Sequence, residues 1–301
     1  MKKSSIKGSL LLFLAAFIWG VAFVAQSVAM DHMGAFTFNG IRSLLGGIVL
    51  LPLVAGRIRK AKETIRTDEE RKKAIRTTLT GGVCCGLALC CASMFQQIGI
   101  EYTSVANAGF ITALYMLIVP ILGLLFHKRV RTVVWVGVGL AVAGMYFLCI
   151  GDTFTINRGD LLVLICALIF AVHILVIDYF SPKADGVMLS CIQFFVTGII
   201  CTVCAFIFET PDWKGIVSGW LPIAYAGIMS CGVAYTLQIV GQKDVEPTIA
   251  SMILSLESAI SALAGWVILG QKLSLKQAGG CALVFAAIML VQLPEKEKAK
   301  I

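Results

Sequence analysis

Glu257 stands near the middle of the apolar run Thr248 to Leu269, in which no other side chain is charged. A charge in hydrocarbon costs at least about 2.5–3.5 kcal/mol on insertion scales, so an ionisable group there is a functional candidate by default. Ala250, Ser261 and Ala264 share its helical face at i−7, i+4 and i+7, and they are small enough to leave room for a neighbouring helix or a cavity. The carboxyl could bind a substrate amine or carry a coupled proton; hydrogen-bonded, it would instead tie helices together. His173, in the run Asp160 to Phe180, suits a proton relay or a hydrogen bond to a neighbouring helix. Arg42 lies seven residues into the run Ala35 to Ala55, roughly 10 Å along a helix. It could hold a carboxylate or phosphate, pair structurally, or snorkel to the membrane surface.

Neutral hydrogen-bonding candidates are Gln193, Asn39, Tyr115, Gln26, Gln97, Asn107 and Gln238, with Trp19 and Phe170 as apolar cavity walls. The same residues can act as interhelical glue worth about 0.6 kcal/mol each. Other chemistries lack their residues. His32, His127 and His173 are too dispersed for an HExxH zinc site, no nucleophile–base–orienter set is visible, and the phosphate-loop pattern GxxxxGK[ST] is absent. No cofactor is therefore expected, and an enzyme is disfavoured. Cys201 and Cys204 form a CxxC without the βαβ context of a redox motif, and all 11 cysteines fall in predicted spans, where they read as small packing residues.

The elements that position these groups are membrane helices. Of 301 residues, 58% are hydrophobic and 14% charged, with mean hydropathy +0.91, far more apolar than one soluble core can use. A helix needs roughly 20 apolar residues to cross about 30 Å of hydrocarbon. Ten such segments can be drawn: Gly8 to Val28, Ala35 to Ala55, Thr77 to Ile100, Val105 to Phe126, Val133 to Cys149, Asp160 to Phe180, Val187 to Phe208, Trp220 to Gly241, Thr248 to Leu269 and Leu275 to Leu293. The first, basic then apolar, could pass for a signal peptide, but its apolar run is longer than the roughly 7–15 residues of a signal core.

Placing the amino terminus in the cytoplasm puts 20 of the 25 Lys and Arg on the cytoplasmic side, with Arg158, Lys214, Lys272 and Lys276 outside and Arg42 alone within a span. That asymmetry is the positive-inside signature; it puts both termini in the cytoplasm and leaves the net charge of +8 as an orientation signal rather than a nucleic-acid surface. In the long basic loop Gly56 to Arg76, Thr67 and Glu70 have capping-box spacing and start a helix before the third span. Gly82 and Gly86 permit close helix approach, and Trp135, Trp213 and Trp220 read as interface anchors.

An internal repeat organises the spans. A shift of 151 residues aligns the first two spans with the sixth and seventh, with eight of 41 positions identical between Leu10 and Leu50. It pairs Arg42 with Gln193, Trp19 with Phe170, and Ala22 with His173. A shift of 143 aligns spans three to five with eight to ten, matching Gly137 to Gly280, Leu140 to Leu283 and Ala143 to Ala286. A five-span repeat starts its second copy on the opposite face, so the halves are inverted, as in many secondary transporters. The predicted fold is all-α and polytopic, ten helices in two inverted five-helix repeats, residues 8–149 and 159–293, followed by a charged cytoplasmic tail, 294–301. The fifth and tenth spans, nearly free of polar side chains, are expected at the periphery or in a homodimer contact.

The segment SLESAISALAGWVILGQKLSLKQAGGCALVFAAIML, Ser255 to Leu290, resembles the second repeat of the drug/metabolite transporter superfamily, in the branch called EamA. TALYMLIVPILGLLFHKRVRTVVWVGVGLAVAGMYFL, Thr112 to Leu148, is similar to the first repeat, as are AAFIWGVAFVA and FNGIRSLLGGIVLLPL, where Arg42 matches a frequent family arginine. Where the family often has Gly-Glu-Arg, this chain has His127-Lys128-Arg129 and Gly270-Gln271-Lys272; Leu256-Glu257 is followed by Ser258 rather than proline. The resemblance implies a multi-pass cytoplasmic-membrane carrier of a small polar or amphipathic solute, amino-acid-like or drug-like, moved outward and driven by solute or ion gradients, a coupling proton among them. A sensor or scaffold without transport is the competing class.

Overall fold

Polar residues mark where helices begin. Ser5 accepts from the Gly8 amide and opens α1, Ile6–Met30. Thr67 accepts from the Glu70 amide, as its spacing predicts, and opens α3, Asp68–Ile100. Ser104 caps α4, Val105–Leu125. Asn157 and Asp160 form a reciprocal capping box on α6, Arg158–Phe180, and Asp185 caps α7, Gly186–Phe208. The remaining helices are α2, Ala35–Thr64; α5, Thr132–Cys149; α8, Trp220–Gln242; α9, Pro247–Leu269; and α10, Leu275–Gln292. Gly270, at φ +66°, closes α9 in the left-handed conformation that glycine adopts without a Cβ clash.

The computed structural model describes residues 5–64, 67–125, 131–149, 157–270 and 274–292. Lys128, Arg129, Gln271, Lys272 and the tail 294–301 lie outside them. Among the described residues the chain is helical throughout, and eight helices are long and apolar enough to cross a membrane. The fifth and tenth predicted spans appear as shorter apolar stretches, Thr132–Gly144 and Ala278–Val291.

α2 packs along α7, α3 along α6 and α7, α1 along α8 and α9, α2 along α8, and α4 against α6 and α9. α5 and α10 pack mainly on each other. The Gly82/Gly86 motif is used as its spacing predicts: a Cβ at these positions would stand 2.5 Å from Ile192 and 2.7 Å from Val196 on α7. That proximity brings the Thr197 hydroxyl to the Gly86 carbonyl at 3.0 Å. At one end of the α2–α7 pair the Glu209 carboxylate accepts from the Phe36 and Thr37 amides, both at 2.8 Å, and from the Thr37 hydroxyl at 2.6 Å. At the other end Arg57 and Asp185 stand 3.6 Å apart on a more exposed surface.

Three helices are irregular at mid-length. α4 is interrupted at Leu114, where the amide bonds back three residues to Ile111, and Pro120 then lacks the amide for the following turn. α9 is interrupted at Ser255; Ser251, Ser255, Ser258 and Ser261 each donate their hydroxyl to the carbonyl three residues earlier, at 2.7–2.8 Å. This serine ladder satisfies four buried hydroxyls locally and loosens the helix. α8 winds as a π-helix from Tyr225 to Tyr235, a form most often found as short bulges at functional sites.

Candidate functional site

The three irregular segments surround one small cavity. Tyr115 follows the break in α4, Glu257 follows the break in α9, and Ser230 and Tyr235 come from the π-helical part of α8. α1 adds Trp19 and Gln26, α2 adds Arg42, α3 adds Gln96, and α6 adds Phe170. The cavity measures about 30 Å³, space for one or two waters.

The Tyr115 hydroxyl donates to Glu257 Oε1 at 2.8 Å, and both side chains are buried. Arg42 is only 5% exposed, so it does not snorkel. Its Nη1 donates to Gln26 Oε1 at 3.0 Å and its guanidinium carbon lies 5.0 Å from the Phe38 ring centroid, contacts that replace water over part of the cation. Gln26 is held in turn, its backbone carbonyl accepting from Gln97 Nε2 at 3.1 Å. Arg42 and Glu257 face the same cavity without forming an ion pair. Among the described residues, Arg42 Nε, Trp19 Nε1 and Gln238 Oε1 are buried with no hydrogen-bond partner. Two donors and an acceptor without partners stand beside one guanidinium and one carboxyl group, a concentration of buried polar groups that is costly in hydrocarbon.

Of the residues that the sequence singles out, Glu257, Arg42, Tyr115, Trp19, Gln26, Gln238 and Phe170 therefore meet at one place. His173 and Gln193 do not line it. They pair with each other, Nε2 to Oε1 at 3.2 Å, and the His173 ring leans on Phe170 and Tyr235. Asn39 is turned away, donating to the Ser93 carbonyl at 3.1 Å. Sequence reasoning passed over Tyr235, Gln96, Thr112 and Ser230. Tyr235 is central: its ring stacks at 4.5 Å on Trp19 and also contacts Phe194. Gln96 donates to Thr112 at 3.1 Å across α3 and α4.

Comparison with known proteins identifies the family. The model of the EamA-like transporter family matches residues 6–150 and 157–293. An uncharacterized transporter of Archaeoglobus fulgidus is 32% identical over 94% of this chain and 84% of its own length. The uncharacterized inner membrane transporter YedA of Escherichia coli is 22% identical over 94% of this chain and 89% of its own length. A solved crystal structure superposes with a TM-score of 0.74 at 20% identity, covering 94% of this chain and 96% of that one. Eight membrane-length helices, a buried polar cavity and a family match over nearly the whole length converge: the chain is a multi-pass membrane protein of the EamA-like transporter family.

Proposed function

We propose that this protein is a secondary active transporter of the cell membrane that exports a small polar or amphipathic metabolite by alternating access. The observation that carries the reading is Arg42 and Glu257, buried and not ion-paired with each other, facing one cavity between two interrupted helices. Interrupted helices at mid-membrane are where secondary carriers commonly build solute sites. An amino-acid-like zwitterion fits the pair, its carboxylate on Arg42 and its ammonium on Glu257, with Trp19, Phe170 and Tyr235 against its apolar part. At about 30 Å³ the cavity holds no such solute, so helices must part to admit one.

The ten-helix inverted-repeat reading, residues 8–149 and 159–293 with both termini cytoplasmic, supplies that motion. Exchanging the halves converts the α1–α8 contact into α6–α3, α1–α9 into α6–α4, and α2–α8 into α7–α3, while α2–α7 and α5–α10 map onto themselves. All of these contacts occur, and the shared α2–α7 seam is the natural axis of such an exchange. The α5–α10 pair lies outside the cavity lining, where it can serve as a support or a dimer surface.

The test is uptake of labelled amino acids into liposomes carrying the purified protein, with and without a pH gradient. Saturable uptake and counterflow are expected, as is loss of gradient dependence in Glu257→Gln. Equal gradient-driven transport by that variant removes the coupling proton from Glu257, and absence of any flux favours a sensor or scaffold.

A further inference from the structure

Away from the cavity, three sulfur atoms converge between α3 and α7. Cys90 Sγ lies 3.7 Å from Cys201 Sγ, and Cys201 Sγ lies 3.4 Å from Met94 Sδ. Cys90 and Met94 are one helical turn apart, so α3 offers both from one face while α7 supplies the third. Cys201 is fully buried, Cys90 nearly so, and Met94 half-buried. Asn39 Nδ2 donates to Met94 Sδ at 3.3 Å and to the Ser93 carbonyl, which fixes the thioether against the two thiols.

Two sulfurs of a three-coordinate, trigonal site, each bound at about 2.3 Å, stand about 4.0 Å apart, within a few tenths of an ångström of the 3.7 Å between the two thiols here. Thiolate and thioether donors select soft ions. We propose that Cys90, Cys201 and Met94 form a site for a soft monovalent cation, Cu(I) or its analogue Ag(I). Binding breaks two S–H bonds, forms two metal–thiolate bonds, adds a weaker thioether contact and releases two protons to solvent; no electron is transferred. Two thiolates and one monovalent cation leave a charge of −1, which the buried Arg42 guanidinium on the adjoining α2 offsets in the low-dielectric interior. A divalent ion would leave the Arg42 charge uncompensated. Because the ligands join α3 to α7, a bound ion adds a second tie to the seam that Gly82 and Gly86 bring close and the Thr197–Gly86 hydrogen bond already spans, and it slows any motion that shears those helices.

The experiment is anaerobic titration of the reduced, purified protein with Cu(I) against a chromophoric Cu(I) chelator, with X-ray absorption to identify the ligands. One tightly held ion per chain in sulfur-only coordination is expected, lost in Cys90→Ser/Cys201→Ser and retained in Cys204→Ser. Asn39→Ala, which frees Met94, is expected to weaken binding by about tenfold or more. In liposomes Ag(I) should inhibit the wild type and spare the double serine variant. Equal retention of Cu(I) by that variant overturns the proposal, as does a reduced wild type that binds none. The binding measurement does not depend on any solute being carried, so its failure is separable from failure of the transport reading.

Discussion

Replacing Tyr115 by phenylalanine removes one hydroxyl from beside Glu257 and leaves the buried ring in place. The lost bond is 2.8 Å long and connects residues 142 positions apart in sequence. Stranding a buried acceptor costs about 1–3 kcal/mol, toward the upper end when it is charged. The cavity beside it admits a water, which can restore part of that loss, so about 2 kcal/mol is expected for Tyr115→Phe. In a Glu257→Gln background the same change removes a neutral hydrogen bond worth about 0.5–1.5 kcal/mol. The difference, of order 1 kcal/mol, is the charge-dependent part of the contact. It is measured by reversible unfolding in mixed micelles of the wild type, the two single variants and the double variant. If Tyr115→Phe costs the same in both backgrounds, Glu257 behaves as a neutral group, and its role as an anionic anchor for an ammonium fails.

Arg42→Gln keeps hydrogen bonding to Gln26 but removes the cation, so half-saturation for a zwitterionic solute should rise about tenfold to a hundredfold; unchanged uptake would take Arg42 out of the solute site. Gly86→Ala places a Cβ 2.7 Å from Val196 Cβ and 3.0 Å from the Gln193 carbonyl oxygen, and overpacking of about 1–3 kcal/mol exceeds the helix-propensity gain of about 1 kcal/mol. Gly139→Ala, with nothing within 4 Å, keeps that gain, so unfolding should rank it above wild type and Gly86→Ala below; the reverse order would contradict the close α3–α7 approach. Glu209→Ala strips three hydrogen bonds from the start of α2, with an expected cost of about 1 kcal/mol and faster hydrogen exchange at the Phe36 and Thr37 amides. Unaltered exchange there would show that the carboxylate does not hold that helix end.

Helix ends and the two costly charges could be read from the chain because each carries a local signature. Thr67, three residues before Glu70, announces the start of α3, and Glu257 and Arg42 stand out against their surroundings by charge alone. What could not be read is partnership. Nothing within α4 marks Tyr115 as the residue that will meet Glu257, because the contact depends on how α4 and α9 pack. Tyr235, Ser230, Thr112 and Gln96 are ordinary residues in apolar helices, and only the way α3, α4 and α8 pack turns them toward the cavity. His173 and Gln193, attractive singly, pair with each other, and that pairing is invisible in a repeat alignment that matches Gln193 with Arg42. The serines of α9 hide for another reason: each bonds within its own helix, so no pattern of partners betrays the break they promote.

The Tyr115–Glu257 bond also has a direction in time. Chains enter the membrane from the amino terminus, so α1 to α4 are made before α9. Within that early group Arg42 already has Gln26, Gln97 already has the Gln26 carbonyl, and Asn39 already has the Ser93 carbonyl. The first half can therefore wait in the bilayer with much of its polar cargo satisfied, Tyr115 keeping one hydroxyl in reserve. Glu257, among the costliest groups to insert, is synthesised late and meets a donor already standing in place. Two separately expressed halves should accordingly find each other in the membrane, with the second half, not the first, degraded when made alone.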